Sequence, residues 1–122
     1  DAGATERANR FFQEALNRPA DSSDAQQQVD YAALHNSLGN VFAQQGDLAE
    51  AVTQYSEALR LRPNYADAHN NLANILAGQS KFEEAVQHYS AALRVRPDYA
   101  DARHNLDIVL NRLREGREPA KP

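Results

Sequence analysis

The chain has 122 residues, 42% hydrophobic and 25% charged, with no Cys, Met or Trp. That length suits one domain, and zero Cys excludes disulfides, thiolate zinc sites and Cys nucleophiles. A formal net charge of -4 argues against a nucleic-acid binder, and no apolar run approaches the roughly 20 residues of a membrane span. The 22 alanines point to closely packed helices. A chain that does not open on Met reads as a piece of a longer protein.

In chain order, residues 1–18 read as an N-terminal helix, with Ala8, Phe12, Ala15 and Leu16 at helical spacing before Pro19. Residues 19–30, rich in Asp, Ser and Gln, read as a polar connector. It is long enough to let the first helix pack on its own chain or on a second copy, which would make a homo-oligomer.

From residue 32 the chain repeats itself. Residues 32–65 and 66–99 align without a gap, with 18 of 34 positions identical. Each unit (31–65 and 66–99) reads as two antiparallel helices. The first helix carries Leu34, Leu38, Val41 and Phe42, then Ala68, Leu72, Ile75 and Leu76. Asp30, Asn64 and Asp98 stand at the expected N-cap phase, with an acid three residues after the last two. Gly46-Asp47 and Gln79-Ser80 break the first helices. Asp47-x-x-Glu50 and Ser80-x-x-Glu83 start the second ones. Their stripes run Leu48, Ala51, Val52, Tyr55, Ala58, Leu59 and Phe82, Ala85, Val86, Tyr89, Ala92, Leu93. Arg60, Arg62, Arg94 and Arg96 sit near the C-termini, where cations complement the helix dipole, and Pro63 and Pro97 stop the helices. A third copy begins at Ala100 and fades. Residues 100–115 read as a capping helix, and 116–122 as a tail.

A 34-residue hairpin carrying Leu38-Gly39, Phe42, Ala51, Tyr55, Ala58 and Pro63 resembles the tetratricopeptide (TPR) repeat. The second unit answers with Leu72-Ala73, Leu76, Ala85, Tyr89, Ala92 and Pro97. The resemblance implies an all-α, right-handed superhelical stack of antiparallel helix hairpins, a TPR-type α-solenoid. It also implies a non-catalytic module binding a peptide segment of a protein partner.

No catalytic apparatus, cofactor site or metal-ligand spacing is legible. His35 and His69 take the same place in adjacent repeats, but no third ligand stands at short range of any of the four histidines (35, 69, 88 and 104), which read as side chains packing between repeats. The arginines read as dipole complements and ion-pair partners rather than an RNA surface, since no aromatic residues interleave with them and the net charge is negative.

The first helices carry a polar stripe. Asn36, Asn40 and Gln44 share one face of the first unit, and Asp67, Asn70, Asn71 and Asn74 share that of the second. Asp101, His104, Asn105, Ile108 and Arg112 follow on the capping helix. In the family this face lines the concave groove, so the resemblance implies a groove of amides that both donate and accept. Asn is a poor helix former, and its recurrence is expected to serve binding rather than structure.

TPR domains that grip chaperone C-terminal tails use basic residues plus Asn as a carboxylate clamp. Asn40 and Asn71 match its amides, while its basic places hold Asn36, Asp101 and Asn105, which argues against that partner. The alternative is an oligomerisation or substrate-presenting segment of a larger enzyme, such as the protein glycosyltransferases whose peptide-guiding repeats the Asn pattern resembles.

Overall fold

The computed structural model describes residues 2–16 and 25–117. Their elements are helices: α1 (Ala2–Leu16), α2 (Ala25–Gln44), α3 (Leu48–Leu61), α4 (Ala66–Gly78), α5 (Phe82–Val95) and α6 (Ala100–Arg117). Each helix packs on its sequence neighbours, and the first helices also touch one another, α2 on α4 and α4 on α6. Contacts therefore run along the chain, as in a solenoid.

Small residues set the spacing of the two hairpins. Ala51, Ala58, Ala85 and Ala92 are wholly buried, and Tyr55 and Tyr89 fill the space between them. Tyr55 lies close against the bare backbone of Gly39, where a Cβ would be 2.6 Å from its Cε1, whereas the second repeat packs Tyr89 with Ala73 at the equivalent position.

The two turns inside the hairpins are built alike. The Asp47 amide donates to the Phe42 carbonyl at 2.9 Å, and the Lys81 amide donates to Leu76 at 2.9 Å. Gly46 (φ 79) and Ser80 (φ 62) hold the left-handed position that reverses the chain.

Several expected boundaries and caps differ. α2 begins at Ala25, inside the segment read as a connector, so Asp30 lies within the helix instead of capping it. The N-cap of α4 is Tyr65, not Asn64, and that of α5 is Lys81, not Ser80. Asp47 does occupy the N-cap of α3, yet its side chain makes no capping hydrogen bond. Ser80 fails as a cap because the left-handed turn needs its backbone. α6 runs to Arg117, two residues past the expected end. Residues 17–18 of the expected first helix, 19–24 of the connector and 118–122 of the tail lie outside the described residues, as do the side chains of Phe12, Ala15 and Leu16.

Candidate functional site

The polar stripe of the first helices forms an amide ladder of two separate rungs. Asn71 donates through Nδ2 to Oδ1 of Asn40 at 3.3 Å, and Asn105 donates to Oδ1 of Asn74 at 3.1 Å. Each accepting oxygen takes a second bond from below: the Tyr55 hydroxyl reaches Asn40 at 2.6 Å, and the Tyr89 hydroxyl reaches Asn74 at 2.6 Å. Asn71 also donates to Asn36 at 3.1 Å.

With this bonding the amides present different groups. The oxygens of Asn40 and Asn74 are held by a tyrosine and a neighbouring amide, so the amino groups of these two exposed residues remain to donate outward. Asn71 donates to both Asn36 and Asn40, which leaves its oxygen as an acceptor, whereas Asn105 donates once and keeps an N–H beside its oxygen. Burial pushes both tyrosine hydroxyls up to about 12, so they stay protonated donors across the neutral range.

Other expected groove residues are placed differently. Asn36 and Asn70 are buried at 7% and 5% exposure, and the Oδ1 of Asn70 has no hydrogen-bond partner. Asp67 is held by Arg96 at 2.8 Å. Gln44, Asp101, His104, Ile108 and Arg112 are exposed and are not part of the ladder. The expectation that the asparagines have no structural use is corrected, because Asn40 and Asn74 anchor the buried tyrosines. Sequence reasoning counted Tyr55 and Tyr89 only as packing residues. The signal that finds their second role is the recurrence of an Asn fifteen residues before a Tyr in both units.

His35 and His69 each bond within their own hairpin. His35 Nδ1 donates to the side-chain oxygen of Gln54 at 2.7 Å, whereas His69 pairs with His88 through their Nδ1 atoms at 3.0 Å. His69 also donates from Nε2 to the Pro63 carbonyl at 2.8 Å. A neutral His69 then has only a lone pair on Nδ1, so His88 is the donor between the rings. Burial and the neighbouring His69 lower the His88 pKa below its usual 6.5, against an opposing pull from Glu84. Among the described residues no group of three or more His, Cys, Asp or Glu is placed to hold a metal ion.

Arg62 stacks over Tyr65 at 4.8 Å and Arg96 over Tyr99 at 3.9 Å. Arg60 donates from both Nε, at 2.8 Å, and Nη2 to one oxygen of Glu57. That contact holds the Glu57 carboxyl below the usual carboxylate range.

Comparison with known proteins places the fold. The family described as "TPR repeat" matches residues 39–80, and that described as "Tetratricopeptide repeat" matches 66–99. The chain belongs to the tetratricopeptide repeat family. No curated protein matches it significantly. Among solved structures, the first TPR of Spaghetti (RPAP3), bound to the HSP90 peptide SRMEEVD, superposes with a TM-score of 0.66 at 17% identity. The match covers 88% of this chain and 94% of that one, a likeness of fold. The TPR frame puts the amide ladder on the first helices of successive repeats.

Proposed function

We propose that this TPR domain is a non-catalytic protein-interaction module whose amide ladder holds the backbone of an extended segment of a partner protein. The observation that carries this reading is how the amides are bonded. Along the stripe Asn40 offers its amino group, Asn71 its oxygen, Asn74 its amino group, and Asn105 its oxygen with one N–H left over. An extended peptide alternates carbonyls and amides, and an uncharged ladder selects backbone rather than a charged side chain. An acidic chaperone tail is not the proposed ligand. The exposed carboxylate of Asp101 would meet it, and Asn36 and Asn105 supply no cation.

The test begins with peptides selected from a random library on the wild-type domain. Each is then measured by calorimetry against Asn40→Ala/Asn74→Ala at two salt concentrations. Affinity is expected to fall by about 0.5–1.5 kcal/mol per hydrogen bond lost and to be nearly insensitive to salt. Tyr55→Phe/Tyr89→Phe keeps every amide but releases its orientation, and it is expected to weaken the same peptides. The groove is excluded if the asparagine double variant binds as tightly as wild type while salt abolishes binding.

A further inference from the structure

The two repeats share one edge, where the second helix ends beside the loop that enters the next unit, and there they differ in a way that bears on a ligand. In the first repeat, Glu57 takes both hydrogen bonds from Arg60, and the nearby His35 adds to the field that favours its charged form. The Glu57 carboxylate is thus bound by a guanidinium on its own helix, with an imidazole in its field. In the second repeat the guanidinium and the imidazole are kept as Arg94 and His69, but position 91 holds Ala in place of the glutamate.

The space that the missing carboxylate leaves is part of a hollow of about 570 Å³ lined by Pro63, Asn64, His69, Ala91, Arg94 and Val95. Among the described residues no carboxylate is within ion-pair distance of Arg94. The lining of the hollow is mixed, with Pro63, Ala91 and Val95 apolar and Val95 44% exposed.

From this we infer that the edge of the second repeat is a docking site for an acidic segment of a partner protein. One glutamate or aspartate side chain of that segment takes the place on Arg94 that Glu57 takes on Arg60. The first repeat supplies the template: it shows which chemistry the arginine–histidine edge accepts when the carboxylate comes from within. A guanidinium binds a carboxylate through charge-assisted hydrogen bonds, which explains a preference for the acid over its amide. Ala91, Pro63 and Val95 add an apolar surface for an aliphatic neighbour of the acid in the partner's sequence. This surface is separate from the amide ladder and does not rest on it.

The test uses a capped heptapeptide with one glutamate between two aliphatic residues, together with its glutamine counterpart. Both are titrated into the labelled chain and followed by NMR. The glutamate peptide is expected to move the Arg94 Nε–H signal and the amides of Ala91 and Val95, whereas the glutamine peptide leaves them in place. Ala91→Glu rebuilds the arrangement of the first repeat and fills the site from within. It and Arg94→Gln are each expected to weaken the peptide by about tenfold or more, the size of a lost charge-assisted hydrogen bond. Arg60→Gln is expected to change nothing.

Equal shifts from both peptides overturn the proposal. So does unchanged binding to Ala91→Glu, or no movement at Arg94 with millimolar peptide. Should Ala91→Glu fail to fold, Arg94→Gln and the peptide pair still decide.

Discussion

Ser80 shows how one residue carries a cost that its repeat partner avoids. It sits at φ 62, where Gly46 in the first repeat sits at φ 79. A side chain in the left-handed region costs roughly 1 kcal/mol, which glycine does not incur. Ser80→Gly is therefore expected to raise stability by about 0.5–1 kcal/mol, read as a higher midpoint in urea at unchanged slope. A lower midpoint would mean that the serine hydroxyl contributes more than the backbone strain costs. The equivalence was legible in the sequence, because Ser80 aligns with Gly46 in the repeat. The left-handed backbone was not, since serine carries no signal for it and its usual place is the N-cap assigned to it.

At the scale of the helices, what could be read was whatever recurs at 34 residues. The two hairpins, their alanine crossings and the Pro-terminated second helices follow from identities between the rows. What could not be read was the pairing of side chains across a hairpin, since His35 against Gln54 and His69 against His88 are decided by residues nineteen apart on antiparallel helices. The start of α2 was missed for a related reason: a polar run of Gln has no apolar stripe, yet Gln is a good helix former.

The histidine pair makes the α4–α5 hairpin sensitive to acid. The folded pKa of His88 lies below its usual 6.5, through burial and then through the adjacent His69, while Glu84 on its own helix pulls the other way. Unfolding then takes up protons in the window just below 6.5, so stability rises with pH there and falls as pH drops toward the lowered pKa. His88→Gln restores the His–Gln pair of the first repeat. Thermal midpoints measured at about pH 7.5 and about pH 5.5 are expected to differ less in this variant than in wild type. An unchanged difference would place the acid sensitivity elsewhere.

For the whole molecule, contacts between sequential helices make stability largely a sum of neighbour terms along one continuous core that runs from α2 to α6. Among the described residues, the helix contacts of α1 are with α2. Deleting residues 1–16 should therefore strip cover from the first repeat and leave the second repeat and α6 with every contact they had. The expected loss is about 1–3 kcal/mol in overall stability, the scale of uncovering one or two large apolar side chains. Its distribution tests the architecture more sharply than its size. Amide exchange is expected to quicken first in α2 and α3, while α4 to α6 keep most of their protection. If α1 instead docks on a second copy, sedimentation will show intact dimers that dissociate on truncation. Uniformly faster exchange in all five remaining helices would mean that the chain folds as one cooperative body, and that the repeats are coupled more strongly than their pairwise contacts account for.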